Sequence, residues 1–238
     1  MILDTYEYVL YQLLNTPIRN YPFEHIYVQD VFPSEFYHSL LSNLPEKEHY
    51  SSIEKLGRVS KGHYLERSLF PLVEESIHLL PIEKKTFWLN FLNMFASKEF
   101  EQAALFVFAD LIEEKFGSLA TQPKLKWVVE LVKDTANYSI GPHTDIPEKI
   151  ITLIFYLPEN SQHPHIGTSL FAPKNVDYSD PHGHHHHFEG FKLITTMPYT
   201  PNTMFGFIRQ DTSWHGVVPI KEPIERNSLT FQLILDNP

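Results

Sequence analysis

His143-Thr144-Asp145 is followed far downstream by His215 and then by Arg226-Asn227-Ser228. Imidazole nitrogens and a carboxylate oxygen are donors for a divalent metal, and a guanidinium is a planar fork that matches a carboxylate. If His143 and Asp145 stand at positions i and i+2 of one strand, both side chains point to the same face and reach one ion. A histidine on a later strand completes a set of three and leaves several coordination positions open. By the same alternation Arg226 and Ser228 share a face, where a fork of N–H donors and a hydroxyl can grip one end of an anionic ligand. In a chain with 14 His, chance alone supplies about half an occurrence of His-x-Asp. The weight therefore rests on the order of the motifs and their context rather than on the triplet.

Taken together these residues resemble the Fe(II)/2-oxoglutarate-dependent dioxygenase superfamily, in which an HxD…H triad binds iron and Arg-x-Ser on the last strand holds the cosubstrate. The resemblance covers roughly residues 126–235, with support from the strand between Pro22 and Pro33. It implies a double-stranded β-helix (a jelly roll, cupin-like) and Fe(II) held by His143, Asp145 and His215. The cosubstrate 2-oxoglutarate would be held by Arg226 and Ser228, and by Tyr138 in the place of a tyrosine some relatives carry shortly before HxD. The implied reaction consumes O2, converts 2-oxoglutarate to succinate and CO2, and hydroxylates a C–H bond of a small molecule or a protein side chain. Arg226 fits members with an arginine clamp rather than collagen-type prolyl hydroxylases, which place lysine there. Two other readings stand beside this one: a jelly-roll binding protein without oxidative activity, and a cupin-like metalloenzyme using Zn²⁺ or Mn²⁺ without 2-oxoglutarate.

Each residue also has a plainer reading. His143 and Asp145 can sit in a surface turn after Gly141-Pro142, and His215 beside Trp214 can be a packed core histidine. Arg226 can pair with Glu222 or Glu225 at a hairpin, a type of contact that contributes little. Tyr138 reads as a half-buried sheet aromatic. The run His184 to His187 reads as a solvated loop with adventitious metal affinity, or as a lid, because four consecutive imidazoles on a strand cannot face one ion. The Arg58 to Arg67 stretch reads as a solvated loop that can also reach the site mouth and meet an anionic substrate.

The elements that must position these groups fall in two blocks. Residues 1–125 read as mainly helical: a capped helix from Asp4 to Pro17, a strand from Glu24 to Val31, a helix from Pro33 to Leu44, and further helices. The clearest helix runs from Ser97 as N-cap, with Lys115 in its last turn and Gly117 as its stop. Residues 126–238 read as short strands over Trp127–Leu131, Ile150–Leu157, Thr168–Phe171, Phe191–Thr196, Thr203–Ile208, Ser213–Val218 and Ser228–Leu235. The expected fold class is α+β, one oxygenase domain over 1–238 with an N-terminal helical layer packed on the sheet. A long insert, Ala172 to Gly190, interrupts the strands and is of a length that is usually functional or mobile.

Composition narrows the classes. The formal net charge is -10 and neither half is basic, which speaks against nucleic acid as a partner. The absence of Cys excludes a disulfide scaffold, a thiolate metal site and a cysteine nucleophile. The longest strongly apolar run, Ala103 to Ala109, is far too short to span a bilayer. Asp4 and Glu7 stand where a signal peptide needs a basic end, so a cytoplasmic protein without membrane partners is expected. With 18 Phe, 12 Tyr and 3 Trp, a large ordered core is easy to build.

Overall fold

The computed structural model describes residues 2–116 and 124–236, with the side chains of residues 2–4, 115 and 116 outside that description. In chain order the elements are α1 (Ile2–Leu14), β1 (His25–Gln29), α2 (Ser34–Ser42), β2 (Ser51–Ser52), β3 (Arg67–Pro71), α3 (Glu74–Ile77), α4 (Ile82–Phe95), α5 (Lys98–Val107) and α6 (Ala109–Phe116). There follow β4 (Leu125–Asp134), β5 (Ile140–His143), β6 (Lys149–Tyr156), β7 (Ser169–Pro173), β8 (Phe191–Thr196), β9 (Thr203–Ile208), β10 (His215–Val217) and β11 (Arg226–Leu235). They form a seven-stranded sheet in the order β1-β9-β6-β11-β4-β3-β2 and a four-stranded sheet in the order β5-β10-β7-β8. Every pairing between these strands is antiparallel.

Strand alternation gives the large sheet two different faces. On β11, Leu229, Phe231 and Leu233 join the main apolar core with Leu131 of β4 and Ile151, Leu153 and Phe155 of β6. The helices close that face: Val9 and Leu13 of α1, Trp88, Phe91 and Phe95 of α4, and Phe100 and Ala104 of α5 belong to the same core. Phe231 is its centre, with ring centroids 6.0 Å from Phe91, 5.5 Å from Trp127 and 5.6 Å from Phe155. The opposite residues of β11 (Arg226, Ser228, Thr230 and Gln232) line a cavity instead. A period of two thus separates a dry packing face from a polar working face on one strand.

Two expectations about elements need correction. The helix expected from Ser97 is two helices, because the backbone of Phe108 turns to φ -110 and ψ 28 between α5 and α6, with its ring buried in the core. Its N-cap is as read: Ser97 Oγ accepts from the Phe100 N–H at 3.2 Å. The proposed roles of the Lys115 side chain and Gly117, and of the Asp4 side chain at the first helix, lie outside the described residues. The strands β2, β3 and β5 carry no periodic signal of their own; β3 is placed by its register against β4, with Arg67 opposite Asp134.

Candidate active site

β5 and β10 are neighbours in the smaller sheet, and their register sets His143 directly opposite His215. Directly paired residues project to the same face, and the two rings lie 4.3 Å apart between centroids. Asp145 reaches them by a different route from the one expected. The strand ends at His143, and Asp145 belongs to the turn leading into β6. Its carboxylate is aimed by β6: Lys149 Nζ donates to Oδ1 at 2.6 Å and Thr152 Oγ1 donates to Oδ2 at 2.8 Å. One donor atom from each of His143, Asp145 and His215 lies within 4.8 Å of the others, and all three residues are buried. The surface-turn reading of His143 and Asp145 does not hold.

The backbone sets the ring tautomers. His143 Nδ1 lies 2.9 Å from the Gly141 carbonyl and His215 Nδ1 lies 2.9 Å from the Ser213 carbonyl. A carbonyl only accepts, so each Nδ1 carries the hydrogen and each Nε2 presents a lone pair. Burial lowers the pKa of both histidines, for His143 well below the ordinary value and reinforced by the neighbouring His215 and His185. Burial opposes ionisation of Asp145, yet Lys149, with His215 and His143, holds its carboxyl well below the usual carboxylate range. Two neutral imidazoles and an ionised carboxylate are the protonation states a divalent metal requires. The donor set fits Fe(II): imidazole and carboxylate suit it, and three ligands on one side leave positions for other groups.

Arg226 is 2% exposed and turns inward. Its Nε donates to the Ile166 carbonyl at 2.8 Å and its Nη1 to Asp134 Oδ2 at 2.8 Å. Its partner is therefore not Glu222 or Glu225, which bind His165 and Lys133. The fully buried Asp134 also takes the fork of Arg67, with Nε on Oδ1 at 2.6 Å and Nη2 on Oδ2 at 2.9 Å. Two guanidinium groups thus share one carboxylate, leaving a buried surplus of one positive charge. Tyr138 is fully buried rather than half-buried, and the Arg67 guanidinium lies 4.1 Å from its ring centroid. Its hydroxyl has no hydrogen-bond partner among the described residues. An anionic oxygen in this corner would meet both the surplus charge and the orphaned donor. Sequence reasoning named Arg67 only as the end of a stretch able to reach the site mouth, where the structure places it, and missed Asp134, Lys149 and Thr152, because each acts through a partner distant in sequence or on a loop without pattern; the signal within reach was Asp134, four residues before Tyr138.

The cavity of about 320 Å³ reaches from Arg226 and Ser228 past the three donors to Lys149, Glu130 and Gln232. Two loops meet over it. The insert after β7 is tied down by Asp180, which accepts from the backbone N–H groups of His182 and His184 at 2.7 and 3.0 Å and bonds His186 Nε2 at 2.9 Å. The backbone carbonyl of Asp180 accepts from Thr144 Oγ1 at 2.7 Å, between the two ligands of the triplet. Asp180 gives the run a fixed acidic partner at His186, while His184, His185 and His187 are exposed, as the solvated-loop reading expects. His185 lines the cavity, with its ring centroid 4.6 Å from that of His143. Its Nδ1 lies 2.5 Å from the hydroxyl of Tyr64 on the 53–66 loop. Gly141 allows the insert to approach, since a Cβ there would lie 2.0 Å from the His186 carbonyl oxygen.

No protein-family model and no curated protein matches this sequence. Solved structures do. A 2OG-Fe(II) oxygenase family oxidoreductase from Burkholderia pseudomallei aligns with a TM-score of 0.50 at 11% identity over 100% of this chain and 91% of its own. A prolyl hydroxylase from Trichoplax adhaerens, solved with a hypoxia inducible factor oxygen degradation domain peptide fragment, aligns at 0.54 and 13% over 97% and 89%. A prolyl 4-hydroxylase from Phytophthora capsici aligns at 0.55 and 16% over 97% and 65%. The fold is that of the 2-oxoglutarate–Fe(II) oxygenases. At such identities the likeness speaks for the oxygenase fold, while chemistry has to be argued from the side chains. Among the described residues no helix is long and apolar enough to cross a membrane.

Proposed function

We propose that this chain is a non-haem Fe(II)- and 2-oxoglutarate-dependent dioxygenase that hydroxylates a C–H bond and releases succinate and CO2. Its two sheets would form one double-stranded β-helix, a single catalytic unit over 1–238 with the helices of 1–125 as its outer layer. The observation that carries the reading is the convergence of His143, Asp145 and His215 with lone pairs free at both Nε2 atoms. The Arg67–Asp134–Arg226 corner in the same cavity, with its one surplus positive charge, supports it, because a metalloenzyme without an anionic cosubstrate has no use for a buried surplus guanidinium.

Iron with the 2-oxo acid supplies the oxidative decarboxylation and the C–H oxidation. The protein's own residues prepare it. The Gly141 and Ser213 carbonyls hold the two rings in the required tautomer, and Thr152 orients the Asp145 carboxylate. Arg226 binds the distal carboxylate of the cosubstrate, with Ser228 and Tyr138 as further donors. Its fork is already oriented by Ile166 and Asp134, so little side-chain entropy is lost on binding. His185 and Tyr64 shield the centre from bulk water. Under anaerobic conditions, Fe(II) with 2-oxoglutarate should give a visible charge-transfer band, and air should then yield succinate. His143→Ala should abolish both, and succinate formation surviving in Asp145→Ala and His215→Ala would overturn the proposal.

A further inference from the structure

Charges facing the cavity do not balance, and the imbalance identifies what else enters it. Among the described residues four cations line it: Arg58, Arg67, Lys149 and Arg226. Three carboxylates answer them: Glu130 pairs with Arg58, Asp134 with Arg67 and Arg226, and Asp145 with Lys149. One positive charge is left over in a protein whose net charge is -10. A ferrous ion and a dianionic cosubstrate, the groups of the function proposed above, cancel each other and leave that surplus in place.

The surplus can be assigned to a residue. The Arg67–Asp134–Arg226 corner becomes neutral when the cosubstrate's distal carboxylate arrives. Arg58 is held by Glu130 through both terminal nitrogens, Nη1 on Oε2 at 2.8 Å and Nη2 on Oε1. The two arginines of the 58–67 stretch are therefore committed to protein carboxylates. Lys149 differs. Its partner is Asp145, whose negative charge the metal shares once the centre is assembled, so the ammonium is left under-compensated. The backbone of Lys149 also stands far along the sheet from that of Arg226, and its Nζ reaches back to Asp145 Oδ1. Lys149 pairs with Ile234 across β11, eight residues from Arg226, or about 26 Å along the strand. Burial along the inward face of β11 falls in the same direction, from Arg226 and Ser228 to Thr230 and Gln232, so Lys149 lies toward the open end.

We infer that the prime substrate is a small monocarboxylate whose carboxylate is bound by Lys149, beside the metal and apart from the cosubstrate clamp. A single surplus charge matches one carboxylate and is overfilled by a phosphate dianion. The small volume, shared with the cosubstrate and bridged by Tyr64 and His185, matches a small molecule. The inference rests on the Fe(II)/2-oxoglutarate reading of the site.

Trifluoroacetate is a suitable probe, followed by 19F NMR on protein loaded with Zn²⁺ in place of iron and saturated with 2-oxoglutarate. Expected are saturable binding of trifluoroacetate, binding at least ten-fold weaker for neutral trifluoroacetamide, and a ten-fold or greater loss in Lys149→Met with recovery in Lys149→Arg. Because Lys149 also holds Asp145 Oδ1, the affinity for 2-oxoglutarate, read from the Fe(II) charge-transfer band, should fall less in Lys149→Met than the affinity for the probe, and should be restored in Lys149→Arg. Equal trifluoroacetate binding in wild type and Lys149→Met, or competition between probe and 2-oxoglutarate, overturns the inference. So does a 2-oxoglutarate affinity that falls as far as the probe's, since Lys149 would then serve the cosubstrate. Failure of the wild-type band to form overturns the parent reading, and this inference with it.

Discussion

At the residue scale, the chemistry of the site depends on groups that orient other groups. Asp134 is the sharpest case, a fully buried carboxylate that takes the fork of Arg67 and a single bond from Arg226. Removing one partner from such a cluster costs more than the pair itself contributes, because the remaining charges stay buried without compensation. Asp134→Ala should destabilise the protein by about 3–5 kcal/mol, measured from urea denaturation midpoints. A change under half a kcal/mol would show that Arg67 and Arg226 find other partners. Arg226→Lys tests the fork itself. A lysine keeps the charge but cannot hold the Ile166 carbonyl, Asp134 and a ligand at once, so 2-oxoglutarate affinity should fall at least ten-fold in the charge-transfer titration while metal binding is retained.

At the element scale, one strand serves both the core and the site, and the insert serves the site alone. Phe231 is fully buried at the centre of the aromatic cluster. Phe231→Ala should cost about 3–5 kcal/mol through lost burial and the cavity left behind, and calorimetry should show a large drop in melting temperature. The insert has a different support. Asp180 anchors three of its histidines and holds Thr144 in place. Burial opposes its ionisation, but bonds from His186 and from the His182 and His184 backbone pull its pKa down to about 2. Asp180→Ala should speed amide hydrogen exchange over 181–187 and weaken metal affinity, leaving the melting temperature nearly unchanged. Unchanged exchange across that segment would mean that the close approach at Gly141 and the His186 N–H bond to the Pro142 carbonyl hold the insert without it.

At the scale of the whole molecule, the buried histidines make stability depend on pH. His25, His143 and His215 all have pKa values lowered by burial. A histidine with a folded pKa below its unfolded value binds more protons when unfolded, so its stabilising contribution is present above about 6.5 and is lost as pH falls below it. The metal-free protein should therefore have a lower urea midpoint at pH 5.5 than at pH 7.5. Fe(II) at one hundred times its dissociation constant should add about 2.7 kcal/mol at neutral pH, and less at pH 5.5, where protons compete for the two imidazoles. Equal midpoints at the two pH values would show that these rings are solvated in the folded state.

Much of this was legible in the chain itself. The bounds of β8 and β9 match the segments read from alternating apolar and β-branched residues, because periodicity is a local property that a folded sheet preserves. That His143, Asp145 and His215 converge and that Arg226 lines the same cavity was legible too, since their residue types have few uses together and their order follows the strands. The pleat argument was right about convergence and wrong about its means: a turn, with Lys149 and Thr152 behind it, carries Asp145 to the rings. What sequence could not supply were partners chosen by proximity. Arg67 meets Asp134 only because β3 pairs with β4 in that register, and His185 meets Tyr64 only because two loops close over one mouth. Local spacing decides which face a side chain takes, whereas the charge that waits across a cavity is set by how distant segments pack.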